Sequence, residues 1–283
     1  EDTRITEWQL ARLDAAIGEL VEFELTIYVD GGVTEDLVVV DTLEDSPGTW
    51  TLLSADIVFK GDDIVTSNTG VPVIAGNVIT LDFGEVTNPP DGVDDEDDTI
   101  VVRIVARVTD DAANVDGNAL RNDVEETFLN QVLPLRDSAE VDLVEPVLGV
   151  TKTFTDVTDA VATISVDIEN TGTGPAYGLV LSDQFDEQFW VPGTMTPISV
   201  PTGFLLSESS DGSGTTTVSL QPEPLLPMTG TLLPGEDLRL EFAMTLRNEG
   251  VLPVASIDNI ATSTVRSTPR SNPDTRAQSA NGQ

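Results

Sequence analysis

The chain has 283 residues, with 50 Asp and Glu against 13 Lys and Arg, a formal charge of −37, and neither His nor Cys. At ~150 residues per domain the length gives two domains, and the missing residue types exclude Ser-His and Cys-His nucleophile pairs, the usual zinc sites and disulfides. A charge this negative repels phosphate backbones and anionic membranes, which leaves cations as the favoured counterparts and nucleic acid as an excluded one.

Along the chain the hydrophobic period is two. Thr6 to Ala16 reads as a strand with an irregular lead-in. Val21 to Ile27 alternates cleanly, as do Val161 to Ile168, Leu238 to Leu246 and Ile257 to Val265. Val, Ile and Thr dominate these runs, and Gly, Pro, Asn and Asp separate them. One face buried and one wet is the signature of antiparallel sandwich strands, so the fold class is all-β. Thr268 to Gln283 has no period and reads as an extended linker or tail. No run of ~20 apolar residues is present to span a membrane. The opening residues show no basic stretch leading into an apolar one, so any signal peptide is expected to have been removed.

A repeat appears at domain scale. Ile17–Tyr28 matches Asp159–Asn170, Leu37–Leu43 matches Leu179–Phe185, Asp98–Val108 matches Asp237–Leu246, and Leu120–Val124 matches Ile257–Ala261. Four matches in one order predict two tandem Ig-like, Greek-key β-sandwiches, residues 1–145 and 146–268, with 269–283 as the tail. Glu145-Pro146 reads as a short stiff linker, because Pro cannot donate to a ladder.

Val144 to Thr153, Glu169 to Ala176 and Asp258 to Thr262 resemble the conserved repeat of prokaryotic surface proteins known as domain of unknown function eleven, which overlaps the isopeptide-forming fimbrial domains. Leu81 to Asn88 and the Ile100–Asp110 strand resemble the longer variant that precedes it in such arrays. The resemblance covers nearly the whole chain and is more specific for architecture than for task. It implies an extracellular, cell-surface or appendage protein: a non-catalytic structural subunit or repeat segment of a filament, pilus-like fibre, stalk or surface layer. Its partners would be copies of itself or neighbouring domains of the same polymer. Donor-strand exchange is one assembly route, with Thr3–Leu13 or the tail from Arg266 as donor. The alternative is a calcium-dependent adhesin or carbohydrate-binding module.

Only two lysines occur, Lys60 and Lys152. Lys152 is in phase with Leu148, Val150 and Phe154, Asp183 with Leu179 and Leu181, and Asn259 with Ile257 and Ala261, so all three are expected to face one core. This trio matches the fimbrial isopeptide arrangement, in which a buried neutral amine attacks the Asn amide beside a protonated acid. The same residues also suit an uncrosslinked ion pair with Asn as hydrogen-bond partner. The first domain keeps Asp41 and Asn122 but has no Lys on its opening strand, where Arg4 is the nearest cation, so no bond is expected there.

Two oxygen-rich loops are candidate Ca2+ sites: Asp91, Asp94, Asp95, Glu96, Asp97 and Asp98, and more weakly Asp110, Asp111 and Asp116. Neither has EF-hand spacing, and a solvated acidic loop is the other reading of both. Trp8, Trp50 and Trp190 are either a sugar-stacking platform or core plugs. The acidity suits salt adaptation as well as it suits calcium.

Overall fold

The computed structural model describes residues 4–8, 13–43, 50–93, 95–224, 230–247, 259–268 and 276–282, with side-chain surroundings for all of these but 4–8, 13 and 155–158. The chain divides into two compact units, Glu1–Leu143 and Val144–Gln283.

Unit 1 contains β1 (Arg4–Trp8), β2 (Leu13–Ala15), β3 (Leu20–Tyr28), β4 (Gly32–Leu43), β5 (Trp50–Lys60), β6 (Val65–Thr66), β7 (Val73–Ala75), β8 (Val78–Asn88), β9 (Thr99–Val108), β10 (Ala119–Thr127) and β11 (Leu135–Leu143). One sheet runs β1-β3-β9-β5 and the other β2-β11-β10-β4-β8-β6, with β7 also on β8. Alternation builds the core between them: Ile100, Val102, Ile104, Ala106 and Val108 of β9 face Leu37, Val39, Ile79, Leu81 and Val141 of the second sheet in one cluster. The Thr6–Ala16 stretch is two strands rather than one. β1 pairs with β3, and β2 crosses to the other sheet to lie parallel to β11.

Unit 2 contains β12 (Leu148–Thr158), β13 (Val161–Asn170), β14 (Tyr177–Asp186), β15 (Thr196–Ser199), β16 (Phe204–Ser210), β17 (Thr215–Pro222), β18 (Asp237–Thr245), β19 (Ala261–Arg266) and β20 (Ala277–Gly282). Its sheets run β12-β13-β18-β15 and β16-β17-β14-β19-β20. This is the strand order of unit 1, with β12, β13, β18, β14 and β19 in the places of β1, β3, β9, β4 and β10. The core is Ile164, Val166, Ile168, Leu179, Leu181, Phe185, Leu240, Phe242 and Met244 with their neighbours. The all-β sandwich class is therefore what the strand periods predicted. Among the described residues the sole helical element is a 3-10 turn, Glu96–Asp98, and no helix is long and apolar enough to cross a membrane.

Three expectations are corrected. The two matches on the β4/β14 and β10/β19 strands align the units in phase, but those on β3/β13 and β9/β18 are one residue out. They set buried Ile27 against exposed Glu169, and buried Ile100 against exposed Arg239. The ladders instead pair Ile27 with Ile100 and Ile168 with Leu238, which makes Ile27 the counterpart of Ile168. A one-residue slip reverses every side chain of a strand, so burial rather than letter similarity fixes the equivalence.

The C-terminal segment is extended, but over 277–282 it is a paired strand, not a free linker: β20 lies antiparallel to β19 from Ala277↔Arg266 to Gly282↔Ala261. A ladder joins backbone groups, so small polar residues without a period can still form an edge strand. The described parts of both expected donor segments thus pair within their own units.

The Glu145-Pro146 stretch belongs to unit 2. Asn170 Oδ1 accepts from the Val147 and Gly172 amides, both at 3.1 Å, and its Nδ2 donates to the Gly174 and Leu232 carbonyls. A Cβ on Gly172 would lie 2.2 Å from the Glu145 carbonyl oxygen, so only glycine lets this segment pack so closely.

Candidate functional site

Lys152 stands on β12 opposite Val166, and Asp183 on β14 opposite Ala261 of β19. β12 and β14 belong to the two different sheets of unit 2, whose inward faces bring these two residues into one core. Lys152 Nζ donates to Asp183 Oδ1 at 2.8 Å and Oδ2 at 2.6 Å, and both side chains are fully buried. Asn259 enters the same space two residues before Ala261, and it is itself buried. Its Nδ2 donates to the Gln184 carbonyl, and its Oδ1 is buried without a hydrogen-bond partner. Lys152 and Asp183 are thus in contact, and Asn259 contributes a hydrogen bond to Asp183.

Aromatic rings seal the amine. Its Nζ lies 4.6 Å from the Phe185 ring centroid and 5.8 Å from that of Phe154. Phe154 in turn stacks on Trp190, whose edge meets Phe185 at a centroid distance of 5.1 Å. Burial lowers the Lys152 pKa, against the pull of Asp183. Burial also raises that of Asp183, opposed first by Lys152 and then by a smaller hydrogen-bond contribution from Asn259. Desolvation therefore pushes the pair toward neutral amine and neutral acid, the form in which an amine is a nucleophile and a carboxyl can donate a proton.

Unit 1 holds the corresponding acid and amide. Asn122 Nδ2 donates to Asp41 Oδ2 at 2.9 Å, and both residues are fully buried. The place of Lys152 falls on Glu7, because Glu7 pairs with Leu25 of β3 as Lys152 pairs with Val166 of β13. The amine is thus replaced by an acid rather than by Arg4, which stands opposite Tyr28. Sequence reasoning also missed Glu126, a fully buried acid whose two carboxyl oxygens have no hydrogen-bond partner. Its phase with Leu120, Asn122 and Val124 was the available signal. Burial pushes the Asp41 carboxyl up to about 7 and that of Glu126 up to about 8.

The acidic loops are organised by their own backbone. Asp91 Oδ1 accepts from the Val93 amide, and Asp95 and Asp98 form a reciprocal capping box at the start of the 3-10 turn, Asp98 Oδ2 accepting from the Asp95 amide. Asp98 Oδ1 also accepts from Asn88 Nδ2 at 2.6 Å, while Asp97 donates its amide to Asp95. Asp94 lies outside the described residues. In the second loop Asp111 accepts from the Ala113 amide. Among the described residues no three acidic side chains, from Asp91–Asp98, from Asp110, Asp111 and Asp116 or elsewhere, are placed to hold one metal ion. Trp50 and Trp190 are buried core residues and form no exposed platform.

No family model matches the chain, and no curated protein does. Solved structures similar to it include a C-terminal fragment of the major pilin of Streptococcus agalactiae, at 14% identity and a TM-score of 0.36, covering 99% of this chain and 90% of that one. The collagen-binding subdomain of an Enterococcus faecalis surface protein matches at 15% identity and a TM-score of 0.27, over 50% of this chain and 98% of that one. A Vibrio harveyi exo-β-N-acetylglucosaminidase matches at 14% identity and a TM-score of 0.30, over 48% of this chain and only 17% of its own length.

Proposed function

We propose that this chain is a non-catalytic, load-bearing structural segment of an extracellular filament, stalk or surface layer, its second unit closed by an amide bond between Lys152 and Asn259. The observation that supports the reading is the sealed cluster in which the Lys152 amine touches both Asp183 oxygens, with the buried Asn259 hydrogen-bonding to Asp183 and its Oδ1 left without a partner. In the reaction the neutral Lys152 Nζ attacks Asn259 Cγ while protonated Asp183 hydrogen-bonds to Oδ1. The Cγ–Nδ2 bond then breaks, Nδ2 leaves as ammonia with the proton released from Nζ, and Asp183 ends as it began. It reacts once per molecule and turns over no substrate.

The bond joins β12 to the residues entering β19, and so closes a loop that contains most of unit 2. Force applied along the chain would pass through a covalent tie rather than through hydrogen bonds. In chain-entropy terms a tie across ~100 residues stabilises by about 5 kcal/mol. Copies of this chain or neighbouring domains of the same polymer are the partners such a role requires.

Pulling single molecules of the whole chain by their ends tests this role. Unit 1 should unfold and lengthen, while the residues between Lys152 and Asn259 stay out of the released length. In a Lys152→Ala chain that length should be recovered. Full extension of both units in the unaltered chain would refute the load-bearing role.

A further inference from the structure

We infer that unit 1 carries a proton-dependent lock: Asp41 and Glu126 support its core only while their carboxyl groups are uncharged, so the unit loosens as the medium turns from acid to mildly alkaline. The inference does not depend on the Lys152–Asn259 bond.

Both acids lie on strands of the second sheet and face its core. Asp41 sits between Val124 of β10 and Ile79 of β8, and Glu126 between Val39 of β4 and Leu135 of β11. Neither has an accessible surface, and neither has a described ion-pair partner. Asp41 accepts one hydrogen bond, from Asn122, and its Oδ1 has none; Glu126 has none at either oxygen. Sealing a carboxylate this way is strongly unfavourable unless it is neutral.

The charged groups around them give no relief. Asp123 on β10 acts on Asp41 and raises its pKa further. Asp137 of β11 stands opposite Val124, in the same row as Asp41. β1 brings Glu7 at the register position opposite Leu25 and Arg4 opposite Tyr28. The buried positions of β3, β9, β5 and β8 include the apolar Phe23, Leu25, Val102, Ile104, Ala55 and Leu81, and the buried polar residues of these strands, Thr26, Asn88 and Thr99, are uncharged. No cation of β3, β5, β8 or β9 is among these buried residues.

The sign follows from linkage. Each acid has a higher pKa folded, about 7 for Asp41 and about 8 for Glu126, than its ordinary value of 3.8 or 4.5. The support they give is complete below the ordinary values, shrinks as the unfolded chain begins to ionise first, and is gone once the pH passes the folded ones.

Thermal unfolding of the full chain carrying Trp190→Phe tests this, since the remaining tryptophans, Trp8 and Trp50, both report on unit 1. In about 0.5 M NaCl, which screens the general repulsion, the unit 1 midpoint should fall by on the order of 10 °C between pH 5 and pH 9. Adding Asp41→Asn and Glu126→Gln, which fix the neutral shapes, should flatten that slope. An unchanged slope in the double variant, or a flat profile in its parent, would overturn the inference. Should the double variant not fold, a carbon-13 titration of the side-chain carboxyls in the unaltered chain decides. Two resonances titrating near 7 and 8 support the lock, and midpoints all below about 5.5 defeat it.

Discussion

Lys152 and Asp183 are worth more to each other than a surface pair, because neither has water to fall back on. Asp183→Asn keeps the shape of the site but removes both the counter-charge and the acid. That change should leave the chain at its uncrosslinked mass and lower the unit 2 melting midpoint, at a cost of roughly 3–5 kcal/mol for the stranded amine alone, plus the lost tie; calorimetry of the variant measures it. A second residue-level expectation concerns Gly61, where an added Cβ would lie 1.8 Å from the Asp97 carbonyl oxygen. Gly61→Ala should destabilise unit 1 by about 1–3 kcal/mol, as overpacking does, by pushing the 3-10 turn off the end of β5; a urea titration would register it as a lower midpoint. The trio Lys152, Asp183 and Asn259 was legible in the sequence because each lay in phase with its own strand. The rings around it were legible only in part: Phe154 shares the phase of Lys152, but nothing local sets Phe185 of β14 against an amine on β12. Glu126 escaped notice for a different reason: an acid in an acid-rich chain draws no attention, although its phase was inward.

Strand periods were enough to establish the class of fold, and they failed where two strands are related across the repeat. Alternation in β3 and in β13 is equally clean, so the match that slid by one residue set inward positions of one strand on outward positions of the other, as the burial of Ile168 and the exposure of Glu169 show. β20 was hidden because its residues, Ala277 to Gly282, have no apolar period, and only the hydrogen-bond ladder to β19 defines it. Its role is nonetheless specific. Gln278 Nε2 donates to the buried Glu145 at 3.1 Å, and Gly282 packs so closely on Val150 of β12 that a Cβ there would lie 2.8 Å from its carbonyl oxygen. Ending the chain after Thr268 should therefore speed amide exchange along β19, which loses a ladder partner, while leaving the β3–β9 amides of unit 1 unchanged; hydrogen-exchange mass spectrometry distinguishes the two. Equal acceleration in both units would contradict the assignment of β20 to unit 2.

Across the whole molecule, 50 acidic groups face 13 basic ones, and the described ion pairs apart from Lys152–Asp183 are exposed. Exposed pairs contribute little, whereas the unbalanced charge repels itself at every pH above the carboxylate range. Raising NaCl from about 0.05 M to about 1 M should therefore raise both melting midpoints at pH 7, because screening removes more repulsion than attraction; a fall would mean that the surface pairs dominate. Covalent closure of unit 2 underlies the load-bearing role, and the mass of the intact chain reads it out. Loss of one ammonia predicts a mass about 17 Da below that of the sequence, with a proteolytic fragment joining the peptides of Lys152 and Asn259 and with the full mass restored in Lys152→Ala. A mass equal to that of the sequence in the unaltered chain would contradict it.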